Sequence, residues 1–456
     1  MTNSPEFSRR SLLRGFGAVA GAAGATALVG CSSGGGGSSA PAKVADIKPG
    51  TLTIMSPSGG EITPASITAF QKAYPQLKVT LINTDPTRLN AMLAAGTPPD
   101  LVRDAGTDVT PYIASQGLAM NLDSYFEQST VIKESDIMPV NDVWKWDGKQ
   151  QGQGSRYGIA KDWSQDAMWW YNTDVWAAAG LKPLDPDTPV TYDELLANAK
   201  TMTKTAHGKT SMYGLWYVTP NIDYIAGMVA SAGGRLISED LTTFDFSSPE
   251  AMQALAWIVT AGKEGLGYSM VNPPADWDGP ELLAGKQATA NQGYWFTGYV
   301  ATTDPAYESK LQFNAAPLLG STRISPTYGA VGYWMPAKAK NPGAAFAWIE
   351  WYCGGGGAKT RIAAGDGLPS LHSLLPLLPQ QTAFEKKVVA TQENELNYFH
   401  VVQVASPYAQ STAIDTTLTK DFPGAITGSM SVGALADKLT TDVNAVVAAG
   451  KQSLGQ

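Results

Sequence analysis

Catalysis and metal binding need certain side chains at certain spacings, and this chain offers few of them. Its three histidines, His207, His372 and His400, are far apart in sequence and lack the spacing of a metal site. No metal site and no cofactor is expected. The one Gly-x-Ser-x-Gly match, Gly30-Cys31-Ser32-Ser33-Gly34, runs into a serine and glycine tract that cannot form a nucleophile elbow. Gly208-Lys209-Thr210 ends like a phosphate loop, but Thr203 stands where its first glycine is required. Glycoside hydrolysis needs only two well-placed carboxylates. Forty acidic residues guarantee some such pair, so their number decides nothing.

The chemistry of Cys31 is of another kind. Upstream of it lie paired arginines in Ser8-Arg9-Arg10-Ser11-Leu12-Leu13-Arg14, then a weakly apolar run from Gly15 to Gly30. That is the layout of a secretory signal with a twin-arginine address. The run is shorter than the roughly 20 apolar residues of a membrane span. Leu28-Val29-Gly30-Cys31 resembles a bacterial lipobox, in which the cysteine is lipidated and becomes the first residue after cleavage. We therefore expect a signal peptide over 1–30 and a lipidated cysteine with a flexible linker over 31–47. The body is then anchored to the outer face of the cell membrane.

Removal of residues 1–30 takes away Glu6 and three arginines, so the net charge moves from −8 to about −10. Nucleic acid is a poor partner for such a body. Cys353 then remains as the sole free thiol, which rules out an internal disulfide. Thirteen tryptophans and eighteen tyrosines are more than an acidic surface needs. Some could serve as platforms for a flat ligand.

The elements that must position such groups follow an α/β pattern. Thr51 to Met55 reads as a strand and Pro64 to Tyr74 as a helix, with Ile67, Phe70 and Tyr74 three and four apart. Leu77 to Ile82 is a second strand. A helix starts at Pro86 and is capped by Gly96, and Leu101-Val102 opens a third strand. Alternation of this kind predicts mainly parallel sheets flanked by helices, with ligands at the carboxyl ends of the strands. The pattern restarts at Met168 to Tyr171, and Thr191 with Glu194 predicts a capping box. Gln150 to Gly154 reads as a surface loop, and Val432 to Val447 as an amphipathic helix.

Ala94-Ala95-Gly96-Thr97-Pro98-Pro99-Asp100 resembles a block of the extracellular solute-binding proteins of carbohydrate ABC importers, the family that includes maltose-binding protein. Further blocks follow in the family's order: Gly117 to Asp123, Tyr171-Asn172-Thr173-Asp174, and Gly233-Gly234 with Phe246 to Ala251. After them come Leu283 to Lys286, Gly293-Tyr294-Trp295, Gly329 to Tyr333 and Gly365-Asp366-Gly367-Leu368-Pro369. The chain departs from the family at Met55-Ser56-Pro57-Ser58, where many members carry an aromatic, and at Gln287-Ala288-Thr289.

The resemblance implies a two-lobed periplasmic-binding-protein fold of type II with a ligand cleft at the hinge. The lobes are expected over 48–160 with 331–370 and over 161–330 with 371–456. It further implies a monomeric, non-enzymatic receptor that captures a small carbohydrate by lobe closure and passes it to the transmembrane permease subunits. The alternatives are a lipid-anchored glycoside hydrolase, or a receptor for a polyol, glycerophosphodiester or peptide.

A sugar asks for aromatic plates against its C–H faces and for polar groups around its hydroxyl rim. Trp295 matches the family's tryptophan after the glycine turn and is the first plate, with Trp163, Trp216, Trp277 and Tyr333 as further candidates. For the rim the candidates are Asp104 and Asp108 past the third strand, Ser58 and Glu61 after the first, Gln165 in the inferred crossing, and Asp366. Trp169, Trp170 and Trp348 read as core. Asp108 has a second reading, as a cap for the following helix.

Overall fold

The structure, a computed structural model, describes residues 46–57 and 61–454. The inferred signal peptide, Cys31 and Ser58 lie outside the described residues. No helix among the described residues is long and apolar enough to cross a membrane.

The first lobe is built on a five-stranded sheet. Strand β1 (Gly50–Ser56) lies between β2 (Leu77–Asn83) and β3 (Leu101–Ala105), both parallel to it. Helices Pro64–Ala73 and Pro86–Ala94 make the crossovers, each starting on a proline behind a side-chain cap, Thr63 for one and Asp85 for the other. A short strand, β4 (Gly158–Ala160), closes the far edge.

The second sheet is smaller. Its middle strand, β5 (Trp169–Asn172), is flanked by β6 (Thr289–Ala290) and β7 (Leu311–Asn314), and both run antiparallel to it. Every residue of β5 is buried, so both faces of the strand carry core. Trp169 and Tyr171 pack toward Trp176 and Trp216, while Trp170 stacks on Phe313 at 4.4 Å from the other face. Helices Ile222–Ser231, Pro249–Lys263, Ser411–Ile426 and Val432–Ser453 cover the first of these faces.

The chain returns to the first sheet through β8 (Val331–Trp334), which inserts antiparallel between β3 and β4. The first sheet is therefore mixed and the second antiparallel. Within these two sheets parallel pairing, the pattern predicted for both, is confined to β1, β2 and β3. Strand direction depends on connections that hydrophobic periodicity does not encode. At the join of β8 and β4 the backbones meet so closely that a Cβ on Gly332 would lie 1.9 Å from the Ile159 carbonyl oxygen.

Local signals hold elsewhere. Thr191 and Glu194 form the reciprocal capping box, and the terminal helix runs six residues past Val447. Gln151 departs from the surface loop expected at 150–154. It is buried, and its amide donates to the carbonyls of Gly106 and Val143 at 2.8 and 2.7 Å, which ties the loop down. Cys353 is a buried free thiol, pushed up to about 12 by burial.

Candidate functional site

A crevice of about 540 Å³ opens at the carboxyl ends of the first sheet and is bounded across the gap by residues 295–302. Its floor is a cage of charges. Arg103, third residue of β3, pairs with Glu61 from the loop after β1, with Nε to Oε2 at 3.1 Å and a shorter contact through Nη2. Lys161 and Asp162 follow β4 directly and meet each other at 2.5 Å. Lys161 also reaches Glu61 at 3.8 Å.

Arg361 completes the cage from the helix Gly356–Ala363. Its Nη1 meets Asp162 at 2.8 Å and its Nη2 donates to the carbonyls of Lys161 and Tyr352 at 2.7 and 3.0 Å. The π-helical turn Glu350–Gly354 presents the Tyr352 ring beneath this guanidinium, 4.5 Å away. Burial alone would raise the Glu61 carboxyl, yet Lys161 and Arg103 hold it below its ordinary value. Asp366 is raised by burial, with Arg361 opposing the shift.

The opposite wall is aromatic. Trp295 is half-buried, and its backbone N–H donates to Ser164 Oγ at 3.1 Å. Trp277 lies 5.6 Å from Trp295 and 4.6 Å from Tyr299, and it is 36% exposed, which is unusual for so large an apolar side chain. This wall presents ring faces and edges that the core does not cover.

A second, smaller chamber of about 300 Å³ adjoins the first and shares Asp166 with it. Trp216, Tyr217, Tyr224, Trp277 and Asp278 line it. Asp166 Oδ2 accepts from the Tyr328 N–H at 2.8 Å and from Thr327 Oγ1 at 3.2 Å. Burial pushes the Asp166 carboxyl up to about 7 and raises that of Asp278.

The predicted residues separate accordingly. Trp295, Trp163, Glu61 and Asp366 line the large chamber, and Trp216 and Trp277 the small one. Asp104 and Asp108 line a third cavity of about 190 Å³ beside Leu89, Leu93 and Trp334, and Arg103 lines both this cavity and the large chamber. Burial pushes their carboxyls up to about 6 and about 7. Asp108 accepts from the hydroxyl of its neighbour Thr107 at 2.9 Å; the helix Gly106–Ser115 has Ala105 at its N-cap and no side-chain cap there.

Two predicted residues face away from any chamber. Gln165 is fully buried; its amide donates to the carbonyls of Ser325 and Glu395 and accepts from the Gln392 amide, so it ties its own segment to two others. Tyr333 is fully buried inside the first sheet, edge-on to Tyr352 at 5.8 Å, because β8 has neighbours on both sides. Trp163 is 96% buried, and its indole N–H is spent on the Pro369 carbonyl. Trp169, Trp170 and Trp348 are core.

Sequence reasoning missed Asp162, Asp166, Tyr299, Tyr352, Arg361 and Asp278. Asp162 lies within the inferred crossing, and Arg361 stands five residues before Asp366, so the signal was proximity to residues already marked. Among the described residues no group of three or more His, Cys, Asp or Glu could hold a metal ion.

Two α/β lobes with a polar and aromatic crevice between them define the periplasmic-binding-protein fold. The profile of the bacterial extracellular solute-binding protein family matches residues 56–356, about two thirds of the chain, and the chain belongs to that family. No curated protein sequence matches it.

Solved structures share the fold. An ABC substrate-binding protein of Listeria monocytogenes, solved with cycloalternan, superposes with a TM-score of 0.72 at 20% identity, covering 88% of this chain and 100% of that one. A solute-binding protein of Thermotoga lettingae, bound with alpha-D-tagatose, gives 0.69 at 20% identity over 87% and 99%. The sugar-binding protein MalE of Xanthomonas citri gives 0.67 at 16% identity over 89% and 99%.

Proposed function

We propose that this protein is the receptor of a carbohydrate ABC importer, holding a sugar or oligosaccharide between its lobes and delivering it to the permease. The observation that carries this reading is the pairing, across one crevice, of the aromatic rings of Trp295 and Tyr299 with the carboxyls Glu61, Asp162 and Asp366, and Trp277 carries that wall on into the adjoining chamber. Aromatic faces suit C–H faces, and carboxylates with guanidinium groups suit a hydroxyl rim. The sugars bound to the Listeria and Thermotoga structures support the same class. A solute that touches both walls favours closure by its differential affinity for the closed form.

The finer picture is a monomer exported by the twin-arginine route and tethered through lipidated Cys31, with lobes over 48–160 plus 331–370 and 161–330 plus 371–456. It alters no covalent bond in its solute. The test is a melting-temperature screen of mono-, di- and oligosaccharides and polyols, with an assay for new reducing ends. Stabilisation without cleavage is the expected result. Catalytic release of sugar would replace this reading with the hydrolase, and stabilisation by polyols or glycerophosphodiesters alone would move the solute class.

A further inference from the structure

We propose that the smaller chamber receives a protonated amine, so that the solute is an amino sugar whose ammonium sits against Asp166 and whose ring lies along Trp277. This rests on the carbohydrate reading above.

The two chambers differ in how their charges are matched. In the larger one Arg103, Lys161 and Arg361 stand against Glu61, Asp162 and Asp366. Among the described residues no lysine, arginine or histidine lines the smaller one. Asp278 there is 95% buried and held only by neutral donors, the Tyr217 N–H at 2.9 Å and the Gln287 and Gln292 amides at 3.0 and 3.3 Å. Asp166 spends Oδ2 on Tyr328 and Thr327, and among the described residues its Oδ1 accepts nothing. A third carboxyl, Asp223, lies behind the chamber, where it shares a hydrogen bond with Asp108.

A second observation is independent of these acids. Trp277 lines the same chamber and is 36% exposed, so its ring is open to a solute, whereas Trp216 and Tyr224 there are only 1% and 4% exposed. An open aromatic ring takes the C–H face of a sugar, and beside an ammonium it adds a cation–π attraction.

Together these groups ask for a molecule with a C–H face to lie on Trp277 and a cation to face Asp166. Water-poor carboxyls without a cation stay protonated near neutral pH, which is the state to which burial has brought Asp166. An ammonium supplies the missing counter-charge and frees that proton. A neutral sugar leaves the carboxyl protonated, and an anion finds no cationic side chain on the lining.

The test is calorimetric titration near pH 6 with matched sugars that differ at one carbon in hydroxyl, free amine or N-acetyl, across gluco, galacto and manno series, as mono- and disaccharides. The expected result is at least one amine that binds tenfold or more tighter than both partners, a gain lost in Asp166→Asn. Buffers of different ionisation heat give a readout in the unaltered protein, release of about one proton with the amine and none with the hydroxyl sugar. If hydroxyl sugars bind and no amine gains over them, or the gain survives without proton release, the amine inference is overturned while the carbohydrate reading stands. If no sugar of any kind binds, the carbohydrate reading falls and takes this one with it.

Discussion

The two chambers of the crevice are close neighbours, share Asp166, and keep buried charge in opposite ways. The larger one matches each cation with a carboxylate at hydrogen-bond range. The smaller one surrounds its acids with amides and aromatic rings and lets burial raise them. Removing a charge from water is tolerable when a partner compensates for it, or when a proton cancels it. The first solution makes a rigid floor. The second leaves an electrostatic demand that an incoming molecule can meet.

The sharpest way to break this contrast is to open the cage. Arg361→Ala removes contacts to Asp162 and to two backbone carbonyls and leaves buried oxygens without donors. We expect a loss of about 3–5 kcal/mol in chemical denaturation. A loss below about 1 kcal/mol would mean that the floor is not structural.

Acidity tests the carboxyls that burial raises, Asp166 of the small chamber and three elsewhere. The carboxyls of Asp104, Asp108, Asp166 and Asp415 are raised by burial to about 6 or 7, against an ordinary 3.8. The folded chain therefore binds more protons than the unfolded one between about pH 4 and 7. Its stability falls as pH rises through that window, by roughly 1–3 kcal/mol after allowance for water in the crevice. A ligand-free melting temperature higher at pH 5 than at pH 8 is expected. The reverse order would show that these acids are ionised and compensated.

Smaller effects separate binding from folding. Trp295→Ala, on the half-buried wall, should weaken solute binding several-fold or more, since an aromatic contact contributes about 0.5–1.5 kcal/mol beyond area. Its melting temperature should barely move, and a large drop would assign Trp295 to the core. Smallest of all is the expected stability change of Asp166→Asn at pH 6, within about 0.5 kcal/mol by denaturation, because the carboxyl it replaces is largely protonated there. A large destabilisation would mean that Asp166 is ionised in the empty protein.

Local chemistry made much of the first lobe legible before its coordinates were known. β1, β2 and the helices behind Thr63 and Asp85 announce themselves through periodicity and first-turn prolines, and the Thr191 box through two residues. The direction of β6 and β7 was not legible. Two residues, Thr289 and Ala290, carry no periodic signal, and β7 joins β5 from about 140 residues away.

The candidate site divides the same way. Trp295 and Asp366 were reached because each stands in a short motif, and Glu61 because it follows the first strand. Arg361 meets Asp162 across 199 residues of sequence, and no spacing rule predicts such a meeting. Gln165 and Tyr333 misled for the opposite reason: polar or aromatic side chains beside a crossing look available, while their hydrogen bonds and packing are already committed to backbone and core.

Asp166 also grips the Tyr328 N–H, in a segment 162 residues further along the chain. Cargo held on its other oxygen is therefore one carboxyl group away from the backbone that leads into β8, with no relay of side chains between them.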